Sequence, residues 1–328
     1  MPEGMRQPSL ETKPLDRRLV MEFVRVTEAA ALAAHSWIGR GNERRADAAA
    51  VEAMRRALDR LPIAGRVVIG EGERDEAPML YIGEECGCGG EALDLALDPL
   101  EGTTLTAKMA PNALTVIAAA WRGHLLHAPD VYMNKIAVGP GLPEGVVGLD
   151  RSPGENVRAL AEAKGVPVDE VTVCILDRPR HEAIIKELRE LGARIVLIPD
   201  GDIAGVIATT DPGTGIDMYL GIGGAPEGVL AAAALNCIGG QFEGRLLFRN
   251  DEEKERAHRL GITDLDRLYR LHDLASGDTI FAATGVTDGT LLKGVRRTGR
   301  GYRTQSVAMR ASSGTIRWIE TEHLGKRP

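Results

Sequence analysis

A chain of 328 residues with 44% hydrophobic and 27% charged side chains has the composition of a folded globular protein, long enough for two domains or one large α/β unit. Its first fifteen residues hold Pro and Glu where a signal peptide needs an apolar stretch, and no run nears the roughly 18 apolar residues that span a bilayer, so neither secretion nor a membrane partner is expected. A net charge of −7, no Lys/Arg block and only 12 aromatics argue against nucleic acid, and four cysteines read as reduced thiols of a cytoplasmic protein.

In chain order, the stretch 15–38 sets Leu19, Val20, Phe23, Val26, Ala30, Ala34 and Trp37 three and four apart, which predicts a helix stopped by Gly39 and Gly41. A second helix is predicted from about Asp47, with Val51, Met54, Leu58 and Leu61 on one face and its end at Pro62. Val67-Val68-Ile69 reads as a buried strand entering Gly70-Glu71-Gly72-Glu73, and 92–97 as another entering Asp98-Pro99-Leu100-Glu101-Gly102-Thr103. Both deliver carboxylates at their carboxyl ends. A third strand at 114–121 turns at Gly123 and returns through Leu125, Leu126 and Val131.

The Gly- and Pro-rich stretch 139–145 predicts a boundary between an N-terminal α+β unit, 1–143, and a C-terminal α/β unit, 144–328. Beyond it, helix 155–164, strand 171–176, helix 181–191, strand 194–198, helix 203–209, strand 217–220 and helix 226–237 predict a mostly parallel sheet covered by helices. Ligands of such sheets bind at strand carboxyl ends, which here carry Arg178-Pro179-Arg180, Asp200-Gly201-Asp202 and Gly221 to Glu227. Residues 251–276 read as charged, exposed helix, and strands 278–283 and 302–310 flank a last glycine-rich turn.

Two acid-bearing strand ends suit a hard divalent cation such as Mg²⁺ or Mn²⁺, because clustered like charges are costly without one. A plainer reading competes at each acid: Asp98 and Glu101 as caps of a helix opened by Gly102, Asp47 as the N-cap of helix 48–60, Glu227 as a first-turn acid favoured by the helix dipole. From the residues alone the cap reading leads at Asp47. Gly221-Ile222-Gly223-Gly224-Ala225-Pro226-Glu227 reads as a glycine loop opening a helix, yet Pro226 breaks the G-x-G-x-x-G register and no P-loop Lys follows. Arg178 and Arg180 suit a bidentate phosphate clamp, and His181 reads as a first-turn polar residue.

The motifs VVIGEGERDEAPMLYIGEE (67–85), ALDPLEGTTL (96–105), APDVYMNKIAVGPG (128–141), RPRH (178–181), PDGD (199–202), GIGGAPEGV (221–229) and FAATGVTDGTLLKGV (281–295) together resemble class II fructose-1,6-bisphosphatase. The resemblance runs collinearly from about Arg17 to Arg310; the first sixteen residues and the tail after Arg310 match poorly and read as extensions or exposed segments. It implies the layered α-β-α-β-α fold of lithium-sensitive sugar phosphatases, Mn²⁺ or Mg²⁺ as cofactor, a sugar bisphosphate as substrate and a homo-oligomer. It also implies metal ligation by Asp47, Glu71, Asp98, Glu101 and Glu227, which overturns the cap reading of Asp47. Substrate contacts are implied for Glu101, Gly102, Thr103, Tyr132, Arg178, Pro179, Arg180, Asp200, Gly201, Asp202 and Gly224. One departure stands out: many relatives carry Lys where this chain has Glu43, with Arg44 and Arg45 following.

The implied chemistry is metal-assisted hydrolysis of the 1-phosphate with no covalent intermediate, in which Glu71 and Asp98 serve the metal and Thr103 orients or deprotonates the attacking water. Action on sedoheptulose 1,7-bisphosphate, inositol-monophosphatase-like hydrolysis and a non-catalytic sugar-phosphate-binding regulator are the alternatives, and metal-dependent phosphate release separates the last from the others.

Overall fold

A computed structural model describes residues 13–72 and 79–325; Glu73 of the first acidic motif lies outside them. Helices α1 (Leu19–His35) and α2 (Glu43–Leu58) precede strands β1 (Ile63–Ile69), β2 (Glu85–Cys86) and β3 (Glu91–Glu101), the short helix α3 (Thr103–Lys108), and strands β4 (Leu114–Trp121) and β5 (Tyr132–Val138). The alternating region runs α4 (Pro153–Lys164), β6 (Thr172–Leu176), α5 (Glu182–Leu191), β7 (Arg194–Ile198), α6 (Asp202–Ala208), β8 (Met218–Gly224), α7 (Ala225–Ile238). The chain closes with β9 (Gln241–Leu247), α8 (Asp251–Arg259), β10 (Leu268–Arg270), α9 (Leu271–Leu274), β11 (Thr279–Gly285), β12 (Arg296–Arg297), β13 (Gly301–Arg310) and β14 (Thr315–Leu324).

Among the described residues these strands form two sheets, ordered β12-β13-β11-β4-β3-β1-β2 with β14 on β13, and β10-β9-β5-β8-β6-β7. The second sheet is mixed, not mostly parallel: β6 runs parallel to β7 and β8, but β5 lies antiparallel between β8 and β9, and β10 is antiparallel to β9. Asn134 and Lys135 interrupt the apolar pattern of β5, so the sequence does not announce that strand. The sheets also do not follow chain order. Strand β5 precedes the 139–145 stretch yet joins the second sheet, while β11 to β14 return to the first.

Three cores set the layering. Phe23 and Val26 of α1 and Met54 and Leu58 of α2 pack on Leu93, Leu95, Ile117 and Ala282, one face of the first sheet. Helices α6 and α7 fill the space between sheets, where Val229 to Leu235 meet Val116, Ala118 and Phe281 on one side and Met133, Ala137 and Tyr219 on the other. Val157, Leu160 and Leu188 of α4 and α5 cover the outer face through Ile136, Val173 and Leu220. A helix squeezed between two sheets has no solvent face, which accounts for the apolar run in α7; β4, covered on both faces, has the continuous sequence LTVIAAAW for the same reason.

Four expectations need correcting. Helix α2 starts at Glu43, because Asn42 caps it by accepting from the Arg45 N–H at 3.0 Å, and Asp47 lies a full turn inside rather than at the cap. Gly221 to Gly224 is strand, not loop, and β8 runs straight into α7. The stretch 251–276 is not one helix, since α8 ends at Arg259 and β10 and α9 follow. The tail after Arg310 is exposed, as expected, but it is an ordered strand and not an extension: β14 pairs with β13 from Arg310↔Thr315 to Gly301↔Leu324.

Candidate active site

The acids reach one place from separate elements. Residues three apart on a regular strand face opposite sides, yet Asp98 pairs with Val116 and Glu101 with Leu114, so β3 carries one more residue than β4 between the two pairs. That bulge brings both carboxylates to one side, and both line a cavity of about 340 Å³. Glu71 enters from just past β1, Asp47 from the second turn of α2, Asp200 and Asp202 from the start of α6, and Glu227 from the first turn of α7. Gly102, Thr103 and Asp130 complete the polar wall.

Neither Asp98 nor Glu101 caps α3. Its N-cap is Gly102, whose φ of +86° is a conformation that favours glycine, and no side chain caps it. Asp98 Oδ1 accepts from the Leu100 N–H at 2.9 Å, while Glu101 Oε1 reaches across the fold to accept from the Ile203 N–H of α6 at 3.3 Å. Glu101 Oε2 and Glu227 Oε2 are buried with no hydrogen-bond partner among the described residues. Gly224 makes room for the latter oxygen, since a Cβ there would stand 1.9 Å from it. Gly223 does the same for Asp202, whose carboxylate pairs with Lys135; both side chains are almost wholly buried, and Lys135 Nζ also donates to the Gly224 carbonyl at 2.8 Å.

Electrostatically the cavity is overloaded with negative charge. Burial, then the Asp47 charge, pushes the Glu71 carboxyl up to about 8. Burial, then the Asp202 charge, pushes Glu227 to about 7, with Lys135 opposing. Asp98 is raised well above the usual range by burial and then by Glu71 and Glu227; Glu101 is raised similarly by burial, Asp202 and Asp98. Burial raises Asp47 and Asp200 as well. Among the described residues no three His, Cys, Asp or Glu side chains close on a common metal centre.

Beside this cavity lies a basic rim. Tyr132 at the start of β5 pairs with Gly224 at the end of β8, which sets the ring next to the Glu227 segment. Arg180 lies over that ring, 4.9 Å from its centroid, and its Nε and Nη2 both donate to the Ile222 carbonyl, at 3.0 and 2.8 Å. Arg178 is 4.0 Å from Asp200. His181 stands at the N-cap of α5, just before its first turn. It is fully buried, its Nε2 accepts from the Ile222 N–H at 2.8 Å, and so its proton sits on Nδ1, 2.7 Å from the Leu176 carbonyl. Burial lowers its pKa, in keeping with that neutral tautomer, and the residue ties β6 to the same Ile222 that anchors Arg180.

Of the residues singled out in the sequence, Asp47, Glu71, Asp98, Glu101, Gly102, Thr103, Asp200, Asp202 and Glu227 line the one cavity. Tyr132, Arg178, Pro179 and Arg180 lie outside its lining; Gly201 caps α6 with φ +86°, and Gly224 serves Glu227. Glu43, Arg44 and Arg45 do not line the cavity, and Arg45 is engaged over Trp37 at 5.5 Å. Sequence reasoning missed Lys135, Asp130 and the second arginine over Tyr132, Arg249, at 5.2 Å. Lys135 and Asp130 sit inside the motif APDVYMNK; a cation flanked by residues of a buried strand was the available signal for the first.

The model of the family described as bacterial fructose-1,6-bisphosphatase, glpX-encoded, matches residues 17–323, which takes in β13 and nearly all of β14. Fructose-1,6-bisphosphatase 1 class 2 of Escherichia coli (strain K12) is 48% identical over 321 residues, covering 94% of this chain and 95% of its own length. The class 2 fructose-1,6-bisphosphatase of Shigella flexneri shows the same identity and coverage. Among solved structures, inositol monophosphatase from Anabaena (Nostoc) sp. PCC 7120 aligns with a TM-score of 0.31 and 16% identity over 59% of this chain and 72% of its own.

Proposed function

The chain belongs to the bacterial, class 2 fructose-1,6-bisphosphatase family, and from that premise we propose that it hydrolyses the 1-phosphate of fructose 1,6-bisphosphate to fructose 6-phosphate and phosphate in a divalent-metal-dependent reaction. The observation that carries the reading is the convergence of carboxylates from α2, β3, α7 and the segment after β1 on one cavity. Two buried, unpartnered oxygens, on Glu101 and Glu227, and an all-oxygen donor set fit Mg²⁺ or Mn²⁺. Asp47, Glu71, Asp98, Glu101 and Glu227 would hold it. When bound, such a cation lowers the pKa of water and offsets phosphoryl charge.

The chain's own groups do the rest. Thr103, on the cavity wall beside Glu101, offers a hydroxyl to orient the attacking water, and Gly102 admits the phosphate close to backbone. Asp200 and Asp202 face the sugar hydroxyls, with Lys135 holding Asp202 in place. Arg180, with Arg178 and Tyr132, grips the phosphate on C6, which is not cleaved, and so fixes the distance at which the C1 phosphate meets the acids. The four free thiols fit a cytoplasmic enzyme, and no helix among the described residues is long and apolar enough to cross a membrane.

Phosphate release from fructose 1,6-bisphosphate, fructose 1-phosphate and inositol 1-phosphate, measured with chelator and after Mn²⁺ or Mg²⁺ is restored, tests the reading. Metal-restored activity with preference for the bisphosphate is expected. Full turnover in chelator, or preference for the inositol ester, would overturn it.

A further inference from the structure

The rim holds a cation that this mechanism leaves unused. Arg249 follows β9 by two residues, and its guanidinium carbon stands 5.2 Å from the centroid of the Tyr132 ring that Arg180 also covers. It is no loose surface side chain. Its Nε donates to Glu253 Oε1 at 2.6 Å, its Nη2 lies 2.5 Å from the same oxygen, and its backbone N–H donates to Glu253 Oε2 at 2.7 Å. The Glu253 side chain is 4% exposed and that of Arg249 is 63% exposed, so a buried carboxylate aims an accessible guanidinium. Asn250 caps α8 by accepting from the Glu253 N–H at 2.9 Å, which fixes the helix that carries the carboxylate.

An ordinary ion pair between residues four apart would need neither the aromatic ring nor a second guanidinium. Two cations drawn to one ring repel each other, and among the described residues Arg180 has no carboxylate partner. Each guanidinium spends Nε and Nη2 on the protein and keeps Nη1 without a partner among the described residues. Two anchored guanidiniums, one held by a carbonyl and one by a carboxylate and each with a free edge, over a ring beside the cavity, make a cradle for a dianion.

We infer that Arg249, aimed by Glu253, is a second guanidinium for the uncleaved phosphate and sets the preference for bisphosphates over monophosphates. The inference rests on the fructose-1,6-bisphosphatase reading and deepens it. Arg249 is a specificity residue here and Glu253 a positioning residue.

Steady-state kinetics on fructose 1,6-bisphosphate and fructose 1-phosphate, with calorimetric binding of fructose 6-phosphate, test it in Arg249→Ala and Arg249→Lys. Arg249→Ala should raise KM for the bisphosphate and Kd for fructose 6-phosphate about tenfold, with a smaller change in kcat and a matching fall in the bisphosphate-to-monophosphate ratio of kcat/KM. Lys should recover part of the loss, as it keeps charge without the fork. Because removing Arg249 leaves Glu253 buried and unpaired, Arg249→Ala/Glu253→Gln is measured beside it, with the same rise expected. Unchanged KM and Kd, or an equal proportional loss on both substrates, would overturn the inference. The calorimetry needs no turnover: weakened fructose 6-phosphate binding supports Arg249 even if the wild type cleaves no bisphosphate, a result that would overturn the function alone.

Discussion

The acidic cavity and the basic rim lie side by side, yet they are built in opposite ways. The cavity takes its charges from the ends of core elements, with a strand bulge and glycines allowing carboxylates to crowd where water is scarce. The rim takes its charges chiefly from two exposed arginines, Arg180 held by a carbonyl and Arg249 by a carboxylate, both over the Tyr132 ring. Crowded buried acids call for a cation and converging guanidiniums for an anion, so a ligand with one metal-bound phosphate and one free phosphate matches both. The cavity should therefore govern rate and metal dependence, and the rim affinity and choice of substrate.

The sharpest way to break that division is Asp98→Asn, which keeps shape and removes charge. It should lower kcat by roughly 10³-fold, while melting of the chelator-treated protein moves up because a repelling carboxylate is gone. An unchanged rate would mean that Asp98 serves only its turn with Leu100. Next in size, Gly224→Ala should cost on the order of 10²-fold in kcat, since its Cβ would displace the Glu227 carboxylate while the backbone φ of −70° suits alanine. A loss seen in KM alone would assign Gly224 to the rim instead.

On the other side of the comparison, Arg180→Ala should raise KM for the bisphosphate about tenfold with a lesser effect on kcat. Equal losses on bisphosphate and monophosphate would move Arg180 to the reacting phosphate. The smallest effect concerns pH. A carboxyl whose folded pKa is raised binds its proton more tightly than the unfolded chain does, so its stabilising contribution is full below the ordinary range and fades as pH rises through about 7 for Glu227 and about 8 for Glu71. With chelator present, the melting temperature should fall from about pH 5, where the unfolded chain gives up these protons, to about pH 8 and level off above it, and Mn²⁺ should raise it most at the upper end. A flat profile with chelator would show that burial and neighbouring charge do not hold these carboxyls above their ordinary range.

Much of the cavity was legible in the sequence because strands announce themselves by apolar runs and the acids follow at once. The bulge that unites Asp98 with Glu101 was not, since it exists only in the register with β4. Asp47 was readable as a cap because its chemistry is the same in either role; the observed cap, Asn42, lies five residues earlier. Gly221, Gly223 and Gly224 look like a loop by propensity, but they are strand through their pairing with β5, and they are glycine because side chains there would strike His181, Asp202 and Glu227. Strand β5 was hidden by Lys135, a residue that can be buried only because Asp202, distant in sequence, neutralises it. The pairing of Arg180 with Arg249 is likewise long-range, joined by Tyr132 alone.

The central claim, that the acid cluster is a metal site, is tested most directly by titrating Mn²⁺ into chelator-stripped protein in a calorimeter near neutral pH, in two buffers of different ionisation enthalpy. Wild type should bind saturably and release protons, because Glu71 and Glu227 are held up near 8 and 7 until a cation displaces the proton, and Asp98→Asn should bind far more weakly. Wild-type protein that shows no saturable binding, or an Asp98→Asn variant that binds as tightly as wild type, would contradict the account.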